Sequence, residues 1–500
     1  MIKNKLLLVF FVVSGLIMSC NSNNEAITGG FITIKGVYNL TSPWPAKNVK
    51  FSKIEYGKRV EKGVYKLGKD KKYGFTVAPE KEGFYILHSD YNQIPVYVKG
   101  NQVFNVSING GNKYVMTNIP DEENQVLYDY MKLTDTLLYY RTFASVIPVT
   151  YKEFFPFYKE FIPKMKAFHK KVNTSNAKFN KLMHAYIDLD IEDQAVYFLQ
   201  TPRKEHPTTE QIEKMAPFYK DFIDNEVFKT TIILDIPKGI EALRGHDMYY
   251  ITHVLKIKMG DGPAEPETLE ELEAQTEADK ADLQRRRIAF FKELDKNMGA
   301  SVKNDTLKAF YVLEELPRYK SYNKKYADFM KPYRQYIALS DYVKTKVEDF
   351  EATIKTTGAG SPGVDFTYKD INGKEVSFAD FRGKVVYIDV WATWCAPCKQ
   401  EIPYLKELEK EFKGKDIQFI SISMDKPKHH EKWKKFVEDN ELTGIQLFAD
   451  NAFDSKLAKD YQINSIPRFL LFDKDGLIVN ADAIRPSNPD LKGLLEDLLK

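Results

Sequence analysis

Two of the chain's three cysteines stand close together, in Cys395-Ala396-Pro397-Cys398, just after the mostly apolar run Lys384-Val385-Val386-Tyr387-Ile388-Asp389-Val390-Trp391. Such a run is typical of a central strand covered on both faces. A helix is expected from about Cys395 to Phe412, so the first cysteine falls at a helix N-terminus. Unpaired amides and the helix dipole favour negative charge there. They lower a thiol's pKa from about 8.5 towards 7 or below and make thiolate available as a nucleophile. Pro397 is tolerated in the first turn, where no intrahelical amide bond is lost. Cys398 lies one turn on, close enough to close a disulfide with Cys395. This spacing suits redox chemistry or a metal. Zinc needs about four ligands, usually from a second such pair or from paired histidines. No further cysteine stands nearby, and His429-His430 reads as a polar helix start. No metal and no cofactor is expected.

Asp389 is an acid within an otherwise apolar strand. A buried carboxylate has a raised pKa and can take a proton from Cys398. The alternative is a strand-end acid that reaches solvent.

The 500 residues exceed one ordinary core. A prior of about 100–200 residues per domain suggests three or so. The 73 basic and 70 acidic residues leave a net charge of +3. That balance lacks the concentrated basic excess of a nucleic-acid binder.

Lys3 and Lys5 precede an apolar run from Leu6 to Met18, and Cys20 follows Ser19. A basic start, a short apolar run and a small residue before the cut read as a secretory signal over residues 1–19. The run is shorter than the roughly 20 apolar residues of a membrane-spanning helix. Cys20 directly after Ser19 resembles the lipobox of bacterial lipoproteins, in which the cysteine is acylated and becomes the mature N-terminus. The alternative is an ordinary secreted protein with an unrelated cysteine. The resemblance implies a cell-envelope protein held to a membrane by acyl chains on Cys20, facing the periplasm or the cell surface. At about 0.8 kcal/mol per buried methylene, two or three chains anchor stably.

After a linker over 20–28, residues 29–118 read as a small β-sandwich or barrel. Alternating runs at Phe31–Ile34, Gly83–Leu87, Ile94–Val98 and Val103–Ile108 are punctuated by Gly and Asn. The pattern is similar to the β-domain that precedes redox modules in many Bacteroidetes lipoproteins. Residues 120–355 read as all-α, with helices expected over Val126–Leu138, Tyr151–Lys170 and Phe179–Leu199. Thr268-Leu269-Glu270-Glu271 has the form of a capping box. It follows a loop by composition at Gly260–Pro266. A Gly-rich linker covers 356–363. From 364 to 500 the pattern is α/β, opening on a hairpin whose Asn372-Gly373 is a strong tight-turn pair. The fold class is thus multidomain: a β-domain, an all-α region and a C-terminal α/β domain.

The C-terminal domain carries a specific resemblance. Trp391-Ala392-Thr393-Trp394-Cys395-Ala396-Pro397-Cys398, Asp389 before it and Ser465-Ile466-Pro467 after it resemble the thioredoxin fold, and most nearly its TlpA/ResA-like thiol–disulfide oxidoreductases. The resemblance implies a thioredoxin fold with a strand–helix insertion, and the following roles. Cys395 attacks a substrate disulfide, a mixed disulfide forms, and Cys398 resolves it. Trp394 shields the pair and contacts substrate. Pro467 is cis, faces the disulfide and leaves the backbone of Ile466 free to pair with the substrate chain. Asp389 matches thioredoxin's buried acid, but the lysine that thioredoxin places on the next strand is replaced by Ser421. Glu401 matches a glutamate that assists proton transfer, or is simply an exposed first-turn carboxylate. Ala396-Pro397 and Ile466 resemble the reducing members of the family. The implied partners are oxidised protein substrates, apocytochrome c among those of relatives, and a membrane electron donor of the DsbD/CcdA type.

Three competing readings follow from the same residues. One is a metal site. One is a peroxidase, whose Pro-x-x-x-Thr-x-x-Cys context is absent. The last is a surface lipoprotein that binds a ligand or partner through residues 29–355, with the redox module secondary.

Overall fold

Alternation of apolar and polar residues builds the first part of the protein as two stacked sheets. The computed structural model describes residues 30–39, 46–89, 92–110, 113–141, 149–257 except 202 and 204, 277–319, 322 and 324–500. Cys20 and the capping box at Thr268 lie outside these residues. By compactness the chain divides into two units. One holds the chain up to Ile54, Arg59–Asp135 and Thr174–Phe179; the other holds Glu55–Lys58, Thr136–Asn173 and Asn180–Lys500.

The first unit contains strands β1 (Ile32–Val37), β2 (Asn48–Glu55), β3 (Lys58–Lys66), β4 (Lys72–Val77), β5 (Gly83–His88), β6 (Gln93–Val98), β7 (Gln102–Gly110) and β8 (Lys113–Asn118). They form two four-stranded sheets, ordered β4-β1-β7-β8 and β3-β2-β5-β6. Ile32, Ile34, Phe104 and Val106 of one sheet share a buried core with Phe51, Tyr85, Leu87 and Val96 of the other. This is a sandwich, in which each strand turns alternate side chains inward. Helix α1 (Glu122–Thr134) closes the edge of the second sheet. The Asn124 side chain accepts from the Tyr97 N–H and donates to the Tyr97 carbonyl, each at 2.8 Å. An edge strand exposes such groups, and here a side chain satisfies both.

Residues 149–355, in the second unit except for Thr174–Phe179, are largely helical where described. The longer helices are α2 (Tyr151–His169), α3 (Ala177–Gln200), α4 (Gly239–Tyr249), α5 (Glu277–Asn297), α6 (Asp305–Glu315) and α7 (Asp341–Lys355). A full capping box starts α2, with Thr150 and Glu153 serving each other's backbone. The aromatic residues form the helix–helix core. Phe154 stacks on Phe198 with ring centroids 3.9 Å apart, and Tyr158 donates to the Ile191 carbonyl.

The C-terminal domain is a seven-stranded sheet. Its strands are β9 (Thr367–Asp370), β10 (Glu375–Ser377), β11 (Val385–Trp391), β12 (Ile417–Ser423), β13 (Ile445–Phe448), β14 (Arg468–Phe472) and β15 (Ile478–Asn480). The order is β10-β9-β13-β12-β11-β14-β15. Strand β11 is parallel to β12 and antiparallel to β14. Every residue of β11 is buried, as an apolar central strand requires. Helices α8 (Ala396–Glu411) and α11 (Asp490–Leu499) cover one face through Leu405, Leu408, Leu491 and Leu495. On the other face, Val386, Ile388, Leu470 and Phe472 pack with Phe366, Phe378 and residues of α10 (Lys456–Asp460). Helix α9 (His430–Asp439) brings Trp433 to the end of β11.

The segment after α7 docks on this sheet without forming a strand. The Gly360 N–H donates to the Ile478 carbonyl, the Ile478 N–H to Ser361, and the Gly363 N–H to Gly476. Gly363 has no room for a side chain. An added Cβ would lie 2.6 Å from Phe378, 2.9 Å from Phe472 and 3.0 Å from the Gly476 carbonyl. Gly363→Leu is therefore expected to destabilise the domain by about 1–3 kcal/mol through overpacking. Denaturant unfolding measures this, and an unchanged midpoint would contradict the docking.

Candidate active site

The carboxyl end of β11 leads straight into the cysteine turn. Cys395 is the N-cap of α8, with extended backbone (φ −86°, ψ 98°). Its Sγ accepts from the Cys398 N–H at 3.2 Å. The sulfur thus takes up an amide that helix geometry leaves unpaired. Cys395 and Cys398 form a disulfide, with Cα atoms 5.3 Å apart. Pro397 sits in the first turn.

Both cysteines are buried, in a cluster with Trp391, Ala392, Trp433, Val437 and Phe448. Ile466 packs against the same cluster, which brings the loop before β14 to the disulfide. The Ile466–Pro467 peptide is cis. Trp394 projects from the turn with 54% of its surface exposed. It is an open apolar face beside the pair, and it leaves the burial of the cysteines to Trp391 and Trp433.

A residue that sequence reasoning passed over holds the turn in place. Asp425, fully buried just beyond β12, accepts from the Thr393 N–H at 2.8 Å and the Thr393 hydroxyl at 2.9 Å. It also accepts from the Ser423 hydroxyl at 2.9 Å. The Thr393 side chain and backbone are thereby tied to the neighbouring strand, and the cysteine turn inherits that rigidity. The one local signal was an acid two residues past an apolar strand end. Another omission is Arg468, directly after Pro467. It is buried, its Nη1 lies 3.4 Å from Asp482, and its Nε and Nη2 lack partners. Burial pulls its pKa down to about 10, against the charge of Asp482.

Asp389 is buried in the middle of the sheet, and its Oδ1 has no hydrogen-bond partner. Strand alternation puts it on the α8 side of β11, between Tyr387 and Trp391. Its register partner on β12 is Ser421, so the position of thioredoxin's lysine carries no charge. Burial holds the Asp389 carboxyl well above the usual carboxylate range, and the negative charges of Glu401 and Glu409 push the same way. Glu401 is not an exposed first-turn acid. It is buried, and its carboxylate accepts from the Ser487 N–H at 2.9 Å and hydroxyl at 3.1 Å, with Arg485 3.7 Å away. Its sequence neighbours on α8 give no hint of these partners, which come from the loop before α11.

The arrangement can carry out one kind of chemistry well: a sulfur at a helix N-terminus, a second sulfur bonded to it and a buried carboxyl of raised pKa. A family model described as "AhpC/TSA family" matches residues 359–481. The thiol-disulfide oxidoreductase ResA of Geobacillus thermodenitrificans is 31% identical over 147 residues, covering 29% of this chain and 82% of that protein. The chain belongs to the ResA family of thiol–disulfide oxidoreductases. The ResA protein of a Bacillus cereus strain is also similar, at 29% identity over 154 residues, 31% of this chain and 86% of that protein. A crystal structure of the thioredoxin domain of a thiol-disulfide oxidoreductase from Bacteroides vulgatus aligns at 32% identity, over 28% of this chain and 98% of that one, with a TM-score of 0.26. The family model and the ResA relatives make the C-terminal domain a thioredoxin fold, and the ResA-family chain is an enzyme of thiol–disulfide exchange. The expected hairpin at Asn372-Gly373, strand at Lys384–Trp391 and helix from about Cys395 to Phe412 agree with β9–β10, β11 and α8.

The raised pKa of Asp389 has a stability consequence. The unfolded carboxyl ionises near about pH 3.9. Below that pH both states are protonated and the full stability is present. Above it the unfolded state has lost its proton while the folded state keeps it. Stability therefore falls as pH rises towards the folded pKa. Asp389→Asn should be more stable than the natural chain above about pH 5, with the gap closing near about pH 4. Unfolding followed by tryptophan fluorescence checks this, since Trp391, Trp394 and Trp433 all lie in this domain. Parallel pH curves for the two proteins would contradict the burial argument.

Proposed function

We propose that this chain is a lipid-anchored, extracytoplasmic reductase of protein disulfides. The observation that carries the proposal is the Cys395 sulfur at the N-cap of α8, accepting the Cys398 N–H while bonded to Cys398. In the reduced enzyme the same amide and the helix dipole favour the Cys395 thiolate. That thiolate attacks a sulfur of the substrate disulfide, and the first substrate thiolate leaves. Asp389 takes the proton of Cys398. The Cys398 thiolate then attacks Cys395, releases the second substrate thiolate and forms the intramolecular disulfide. Two electrons pass from the enzyme to the substrate, and the released thiolates take protons from solvent.

Ile466 and Pro467 are the residues proposed to align the substrate chain, and exposed Trp394 is the apolar face it meets. Glu401 raises the affinity of Asp389 for its proton. Cys20 carries the acyl chains. Electrons return from a membrane donor of the DsbD/CcdA type. The substrates are oxidised cysteines of exported proteins, such as an apocytochrome c. Support for the reducing direction comes from Ala396-Pro397 and Ile466, which resemble reducing relatives.

The test is the reduction potential of the full chain bearing Cys20→Ser, equilibrated against a defined thiol buffer. A potential at or below about −270 mV is expected, near thioredoxin's own. A potential at or above about −180 mV would point to an oxidase or isomerase instead.

A further inference from the structure

Behind the cysteine turn, between α8 and the sheet, lies a small cavity with about 10 Å³ of room for the centre of a water molecule. That is about the least that holds one water. Its polar lining comes from Asp389, Trp391, Glu409, Ser421, Thr443 and Gln446. Asp389 Oδ1, Trp391 Nε1 and Gln446 Oε1 are all buried without a hydrogen-bond partner. A water needs two to four polar partners, and this wall offers both acceptors and a donor.

Glu409 is half-buried, and its carboxylate accepts from the hydroxyl of exposed Thr443. Gly444 makes room for it: an added Cβ there would stand 2.5 Å from Glu409 Oε1. Glu409 thus joins the cavity at one end and the protein surface at the other. The mechanism above gives it no task.

We infer that Glu409 is a positioning residue for proton transfer in the exchange reaction, linked to Asp389 by one water in this cavity and discharging to solvent beside Thr443. The inference rests on the Cys395, Cys398 and Asp389 roles proposed above. During resolution, the Cys398 S–H bond breaks and its proton goes to the Asp389 carboxylate. The Cys398 thiolate forms the bond to Cys395 Sγ as the Cys395–substrate bond breaks. The proton on Asp389 passes to the water, the water gives a proton to the Glu409 carboxylate, and Glu409 releases it to solvent. Asp389 is left ionised for the next turnover.

The charges acting on Asp389 are Glu401 and Glu409 on α8, both negative, and Tyr387 on its own strand is held neutral by burial. Ser421 on β12 and Gln446 on β13 face the cavity without charge. Lys406 also lines it, but its ammonium donates to the Asn440 carbonyl at 2.6 Å. Arg485 lies against Glu401. Burial raises the pKa of Glu409, while the Thr443 hydroxyl and Lys406 lower it.

The test is stopped-flow oxidation of the reduced full chain by oxidised glutathione, across pH, comparing the natural protein with Glu409→Gln. Glutamine keeps the size of the side chain and can accept from Thr443. The variant should slow resolution by about tenfold, less than the 10²–10⁴ of a directly acting acid or base. It should also move the Asp389 inflection to lower pH, because a negative neighbour is gone. The initial attack by Cys395 should be unchanged. A resolution rate and pH profile equal to the natural protein's would overturn the inference. Should the variant fail to fold, carboxyl carbon-13 titration of the natural chain decides: Asp389 and Glu409 must titrate as a coupled pair, and independent titrations overturn it. Cys395→Ser is the companion control. If it still reduces the disulfide, the exchange reading itself fails. If it is inactive while Glu409→Gln behaves as the natural protein, only the role of Glu409 fails.

Discussion

A sulfur placed where a helix begins, at the end of a strand that cannot move, is the constraint on which the rest of this enzyme depends. Cys395 caps α8 only because β11 delivers the chain to that point in a fixed direction. The strand holds its direction because all its side chains are buried between two layers. Asp425 then locks the turn between strand and helix through the N–H and hydroxyl of Thr393. A helix N-terminus alone favours anions weakly, by roughly 0.3–1 kcal/mol at a surface. Burial and a fixed amide partner make that preference count for more.

The same domain buries polar groups that folding does not favour. Asp389 is buried without a partner for one oxygen, and Arg468 is buried with two unpaired nitrogens. Each unsatisfied buried polar group costs about 1–3 kcal/mol. Strongly perturbed, poorly paired groups gather at sites of function. Both lie on adjoining strands at the cysteine end of the sheet, with Val390 opposite Arg468 in the register. The destabilisation is offset by the two apolar clusters on either face of the sheet, one centred on Ile388 and Leu470, the other on Tyr387 and Leu405.

What the sequence disclosed about this molecule follows the reach of each signal. The apolar run of β11, the Cys395–Cys398 spacing and the Asn372-Gly373 turn are local, and they predicted the elements they form. In the sandwich, β1, β5, β6 and β7 have clear alternation and were legible. Strand β3, Lys58-Arg59-Val60-Glu61-Lys62-Gly63-Val64-Tyr65-Lys66, was not, because it is a half-exposed edge strand with charge at most positions. Charge on an edge guards against unwanted pairing and also hides the strand from a hydrophobicity pattern. In the site, the cysteines and Asp389 could be found from neighbours in the chain. Asp425 and Glu409 could not, since their partners Thr393 and Thr443 lie 32 and 34 residues away. The burial of Glu401 was hidden for the same reason, as it depends on Ser487 and Arg485.

The central claim is that Cys395 is the attacking sulfur and Cys398 the resolving one. The most direct measurement is trapping. A reduced Cys398→Ser chain, mixed with an oxidised protein substrate, should accumulate a covalent adduct through Cys395. Its mass should equal the sum of the two proteins, and dithiothreitol should release it. Cys395→Ser should accumulate none under the same conditions. An adduct that forms on Cys398 as readily as on Cys395, or no adduct with either variant, would contradict the account.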